Sequence, residues 1–172
     1  MSLWAIDAPT ETTLWERFCE HARRTPGREA VVHWRAGEEP VRWRWANLVA
    51  RARQYAALVA NAGVKPGEVC ALIFKHHMEF APLYMGVDAL GAIPAVLAYP
   101  NARLHPDKFR EGLRGMAAHS GLDWLLTERG LEAILAPLAQ GAGSTVRGML
   151  FPLDEATLPS PAPEATHFAK PD

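Results

Sequence analysis

Two uninterrupted apolar runs, Val69 to Phe74 and Ile93 to Leu97, constrain this chain more than any other feature. Neither run alternates with polar residues, and neither is long enough to be the body of a helix. Runs of that kind suit parallel strands covered on both faces. A turn, Gly63-Val64-Lys65-Pro66-Gly67-Glu68, feeds the first run. A helical pattern from about Glu79 to Leu90 separates the two. Pro82 sits in its first turn, where a missing N–H costs little, and Gly91 closes it. A buried strand, a helix and a second buried strand imply a crossover connection and a parallel sheet.

The flanking sequence extends this pattern in both directions. Thr13-Leu14-Trp15-Glu16 has the form of a capping box, and Leu14, Phe18 and Ala22 share one face, so a helix is expected to about Arg24. Pro26-Gly27 stops it. Ala30 to Trp34 reads as a strand, Arg35 to Pro40 as a hairpin loop, and Val41, Trp43 and Trp45 alternate with arginines as a half-exposed return strand would. A long helix is expected from about Ala46 to Ala62. Its core-facing stripe is Leu48, Ala52, Tyr55, Val59 and Ala62, and Gly63 follows as the terminating residue. Downstream, Pro106 opens a helix that runs to about Ser120, with Gly121 behind it. Trp124 to Leu126 is a short strand, Glu128 to Leu138 a weak helix, and Arg147 to Phe151 a final strand. The fold class is therefore α/β: a mostly parallel sheet flanked by helices, with an N-terminal helix and β-hairpin. Residues 1–151 make one α/β unit. Residues 152–172 hold five prolines among alanines and polar residues, and read as an extended linker over the surface.

Bulk properties exclude several classes. The formal net charge of -1 gives no basic field for nucleic acid. Arg42, Arg44, Arg51 and Arg53 read as a solvated face. No apolar run approaches a membrane span, and the start lacks the basic-then-apolar order of a signal peptide. Cys19 and Cys70 have no metal-ligand spacing and read as reduced thiols of a cytoplasmic protein. His76-His77 reads as a strand-to-helix turn rather than a metal site, because adjacent histidines point apart. Ser120 and Ser144 lack a nucleophile-elbow context. Asp88 lies inside an apolar helix and reads as its wet face, with a buried polar contact as the alternative, and Trp34, Trp43 and Trp45 read as a satellite core on the hairpin. Gly141 to Thr145 lacks the lysine of a phosphate loop and reads as a turn.

Four segments, taken in order, resemble the amino-terminal part of the adenylate-forming superfamily: acyl-CoA synthetases, fatty acyl-AMP ligases and peptide-synthetase adenylation domains. Arg44-Trp45-Ala46-Asn47-Leu48 stands where that family has Thr-Tyr-x-Glu-Leu, and keeps the aromatic and the leucine. Gly63 to Glu68 matches its Gly-Val-x-Pro-Gly-Asp turn. Leu90-Gly91-Ala92-Ile93-Pro94-Ala95-Val96-Leu97, then Pro100 and Arg103-Leu104, matches its Gly-Ala strand ending in proline. Leu113 to Leu126 is similar to the helix and strand that follow. The resemblance covers about Thr12 to Gly130.

The resemblance implies a chemistry for a longer enzyme. A carboxylic acid, fatty or aromatic, reacts with ATP and Mg2+ to give an acyl-adenylate, which a thiol of CoA or of a carrier-protein phosphopantetheine then takes. The Ser/Thr/Gly-rich loop ending in Pro-Lys-Gly that wraps the ATP phosphates in the family is absent from these 172 residues. They are accordingly expected to be an N-terminal fragment that is inactive alone and binds no cofactor by itself, with no catalytic residue and no metal ligand assigned. Arg103 is the one cofactor-binding candidate. It follows a Pro-Asn corner at the end of a parallel strand, where related CoA ligases meet the nucleotide phosphate, and a guanidinium matches phosphate with paired donors. Lys108 and Arg110 add charge nearby. A stand-alone, non-catalytic nucleotide- or protein-binding module is the alternative. A dinucleotide-binding enzyme is disfavoured because Phe74-Lys75-His76-His77 offers no glycine fingerprint.

Overall fold

The computed structural model describes residues 13–100, 105–140, 144–154 and 158–160. Helix α1 spans Leu14–Arg24. The Thr13 hydroxyl accepts from Glu16 N at 3.2 Å, and the Glu16 carboxylate accepts from Thr13 N at 2.7 Å, so the expected capping box is formed. Strands β1 (Glu29–His33) and β2 (Val41–Arg44) pair antiparallel as a separate hairpin. Helix α2 is Trp45–Asn61, one residue earlier than its polar pattern suggested, and Trp45 thereby leaves the strand.

The main sheet is built from β3 (Val69–Ile73), β4 (Ile93–Val96), β5 (Leu122–Thr127) and β6 (Gly148–Leu150). Its order is β4-β3-β5-β6, and all three pairings are parallel. Helices α3 (Phe80–Ala89), α4 (Pro106–Ser120) and α5 (Glu132–Gln140) make the crossovers, with a short 3-10 turn, Arg129–Leu131, before α5. Gly121 ends α4 in the left-handed region at φ 66°, a conformation that side chains resist.

Side-chain alternation along β3 explains its apolar run. Cys70, Leu72 and Phe74 pack on one face with Tyr55 and Val59 of α2 and Leu83 and Val87 of α3. Ala71 and Ile73 pack on the other with Phe109 and Leu113 of α4 and Leu135 of α5. A third cluster joins α1, α2 and α3 to the hairpin through Trp15, Leu48, Ala52 and Met85. Burial at the Cys70 thiol, reinforced by Glu68 and Asp123, pushes its pKa up to about 12, so it stays an inert thiol.

Three expectations need correction. Strand β4 is not buried on both faces: Ile93 is 52% and Val96 56% exposed, because among the described strands β4 is an edge with one neighbour, β3. Trp34 is 60% exposed, whereas Trp43 and Trp45 do pack in the hairpin cluster. Asp88 is half-buried rather than wet, and its Oδ2 finds no hydrogen-bond partner among the described residues. At the head of the proline-rich segment Pro152 is fully buried, and Leu153 and Leu158 pack against the sheet.

The two rims of the sheet differ in kind. At the rim where the strands begin, the Glu68 carboxylate accepts from Lys65 N at 3.0 Å, from Trp124 Nε1 at 2.6 Å and from Arg147 Nη1 at 2.5 Å. Asp123 accepts from Val69 N at 2.9 Å and lies 3.5 Å from Arg147 Nε. Burial raises the Glu68 pKa, but these donors and the charges of Arg147 and Lys65 outweigh it and hold the carboxyl below its usual range. This rim is a lock between the turn before β3, β5 and the start of β6.

Candidate functional site at the ends of the parallel strands

The opposite rim is where a doubly wound sheet places its ligands. From β3 the chain crosses by α3 to β4 on one side. From β4 it returns by α4, on the other face, past β3 to β5. The connections around β3 and β5 therefore leave in opposite directions, which opens a crevice between their C-terminal ends.

Lys75 follows β3 and Glu128 follows β5, so this pair flanks the crevice. Lys75 Nζ lies 3.5 Å from Glu128 Oε1 and 5.0 Å from the centre of the Tyr99 ring. The Tyr99 hydroxyl donates to the same Glu128 oxygen at 2.8 Å. Below them the Thr127 hydroxyl donates to the Ile73 carbonyl at 2.9 Å, tying the two strand ends together. The contacts of Lys75 with Tyr99 and then Glu128 push its pKa up, so it remains an ammonium. Burial and the hydrogen bond to Glu128 raise the Tyr99 pKa, so the phenol keeps its proton. One step beyond Glu128, the Arg129 guanidinium lies 4.5 Å over the Phe151 ring, and Arg129 N donates to Asp154 Oδ2 at 3.1 Å.

A cleft of ≈ 370 Å³ adjoins this cluster. Val32 and His33 of the hairpin form one wall; Phe74, Lys75 and His76 after β3 and Val96 of β4 form the other. His77 Nδ1 accepts from Glu79 N at 3.1 Å beside the start of α3, which agrees with its reading as a turn residue. Among the described residues no three His, Cys, Asp or Glu side chains converge to hold a metal ion.

Chemically this rim offers cations, apolar walls and a proton-bearing phenol, which together can seat and orient an anion. The Lys75 side chain is 68% exposed and Glu128 largely covered, so an incoming anion reaches the ammonium first. Arg103 lies outside the described residues. Of its two neighbours, Arg110 is paired with Asp107 one turn away on α4, and Lys108 is exposed. Lys75, Tyr99, Glu128 and Arg129 were not singled out by sequence reading. The available signal was position: each lies one to three residues beyond a strand that sequence did locate.

Comparison with known proteins gives a consistent picture. The family profile described as "AMP-binding enzyme" matches residues 18–167. A linear gramicidin synthase of Brevibacillus parabrevis is 32% identical over 138 residues, which cover 80% of this chain and 2% of that protein. Tyrocidine synthase 3 of the same organism is 29% identical over 102 residues, 58% of this chain and again 2% of the relative. Among solved structures, the N-terminal domain of FACL13 from Mycobacterium tuberculosis superposes with a TM-score of 0.65 at 21% identity. The match covers 89% of this chain and 38% of that one. A fatty acyl-adenylate ligase from L. pneumophila gives 0.64 at 17% identity, covering 83% and 23%. At such identities the structural likeness speaks for the fold. The chain spans a small part of each relative's length.

Proposed function

The chain belongs to the AMP-binding enzyme family, and from that premise we propose that it forms the amino-terminal part of an AMP-forming acid–thiol ligase. The ligase activates a fatty or aromatic carboxylic acid with ATP and Mg2+ and passes the acyl group to the thiol of CoA or of a carrier-protein phosphopantetheine. The observation that carries the proposal is the family match over residues 18–167, nearly the whole described fold.

The difficulty such an enzyme overcomes is the approach of two anions, a carboxylate and the α-phosphate, which calls for fixed positive charge and aligned donors. ATP would supply the adenylyl group and Mg2+ would neutralise its phosphates. The residues of this chain fit that pair poorly: Pro-Lys-Gly is absent from the sequence, and among the described residues no three His, Cys, Asp or Glu side chains converge to hold a metal ion. What these residues suit is the acceptor end. Arg103 and Lys75 would meet phosphate groups of the thiol carrier as it approaches the strand ends, and Tyr99 and Glu128 would hold Lys75 in place.

The test is carboxylate-dependent ATP–pyrophosphate exchange, measured on the whole reading frame that contains this chain and on the 172 residues alone. Exchange is expected from the former with a fatty or aromatic acid and none from the latter. Silence of the whole protein across both acid classes, or exchange by the 172 residues alone, overturns the proposal. In the active protein Arg103→Ala is expected to raise the apparent constant for CoA and leave the exchange reaction alone; an unchanged constant removes Arg103 from the site.

A further inference from the structure

The hairpin that walls the cleft is a distinct two-stranded sheet, and its strands are exposed or half-buried throughout. It meets the segment after β3 through three contacts. Trp43 Nε1 donates to the Met78 carbonyl at 2.9 Å. His76 Nε2 lies 3.3 Å from the Trp34 carbonyl, an acceptor only, so the ring carries its proton on Nε2. The His33 and His76 rings then stack face to face, with centroids 4.1 Å apart and planes 20° from parallel. This arrangement suits two neutral imidazoles. A second proton on each ring would set two like charges in contact.

The surroundings do not offset that repulsion. The groups acting on His33 are His76 and His77 of the facing segment, and Arg35 and Glu38 of its own hairpin turn. Glu38 is engaged by Arg35 at 3.5 Å. Just before α3, Glu79 is engaged by Tyr55 and Arg51, and Lys75 brings another positive charge to the facing segment.

We propose that the His33–His76 stack is an acid-operated latch: it holds the β1–β2 hairpin as a wall of the cleft while His33 is neutral, and loosens it when His33 is protonated. Burial, then His76, lowers the pKa of His33 below its usual 6.5. A base whose folded pKa is depressed stabilises the closed form above 6.5, and that contribution is lost as pH falls from 6.5 through the lower folded value. Release is a loosening of the hairpin, because the Trp43 bond to Met78 and the apolar contacts of Ala30 and Val31 do not titrate. The inference stands apart from the ligase reading and survives its failure.

Amide hydrogen exchange on the 172-residue chain at about pH 7.5 and about pH 5.5, corrected for intrinsic rates, tests the latch. Hairpin amides, relative to those of β3 and β5, are expected to lose up to roughly tenfold in protection at the lower pH for each unit by which His33 is shifted. His33→Phe keeps a stackable ring that cannot charge, and is expected to abolish that loss while leaving protection at the higher pH intact. An unchanged hairpin-to-sheet ratio in the parent chain, or a loss that persists in His33→Phe, overturns the proposal. Should His33→Phe not fold, titration of the imidazole resonances decides. The His33 midpoint is expected below 6.5 and to rise in His76→Phe; a midpoint at or above 6.5, or one indifferent to His76→Phe, also overturns it.

Discussion

Asp88 has a carboxylate oxygen, Oδ2, that no group in the described structure satisfies, on a helix whose other residues are mainly buried and apolar. Burial raises its pKa above the usual carboxylate range. A raised acid gives stability that is complete below the unfolded value and is lost as pH rises through the folded one, so at neutral pH the native state bears the strain of the charge. Asp88→Asn is expected to stabilise the chain by about 1 kcal/mol at pH 7, and the difference from the parent should shrink as pH falls toward 4. Urea unfolding of both chains at several pH values checks this; a variant less stable than the parent at neutral pH counts against it. At the same scale, sequence made the capping box of Thr13 and Glu16 legible because both partners lie within one turn. It did not make Asp88 legible, because one charged residue in an apolar helix looks the same whether it faces water or a crowded groove. The Lys75–Tyr99–Glu128 cluster was hidden for a related reason: its members are 24 and 29 positions apart and meet only after the sheet forms.

Among elements, α2 and α3 make a close approach, and Gly86 permits it. A Cβ there would lie 2.6 Å from Tyr55 Cβ and 2.7 Å from the Ala52 carbonyl oxygen, inside any tolerable contact. Gly86→Ala must push the helices apart, and about 1–3 kcal/mol of stability is expected to be lost. Chemical denaturation measures this directly, and a neutral effect would show that the helices yield freely. Of the stripe Leu48, Ala52, Tyr55, Val59 and Ala62 that announced the buried face of α2, the first four are buried, whereas Ala62 caps the helix one residue past its end and is exposed. Nothing in the α3 pattern marked Gly86, since its reason lies on another helix. Strand β4 fails in the opposite sense. Apolarity shows that a segment can be buried, while strand order decides whether it is, and strand order is not written in local periodicity.

Over the whole molecule, an exposed edge strand bearing Ile93 and Val96 is a template for pairing with another chain. The 172 residues alone are expected to self-associate as concentration rises. Val96→Lys should suppress that association while changing stability by no more than about 0.5 kcal/mol, because the position is exposed. Light scattering and sedimentation velocity distinguish the outcomes, and equal association in both chains excludes the β4 edge as the cause. The parallel α/β architecture itself was readable early, from the glycine- and proline-punctuated order of runs between Ala46 and Phe151. Glu68, Asp123, Trp124 and Arg147 fasten the sheet where its strands begin, whereas the loops where they end are joined through the exposed Lys75 ammonium and the Tyr99–Glu128 hydrogen bond. Mutational tolerance should divide along the same line. Lineages that keep the fastened side are free to trade loops on the loose side, and new ligand preferences can arise there without renegotiating how the protein folds.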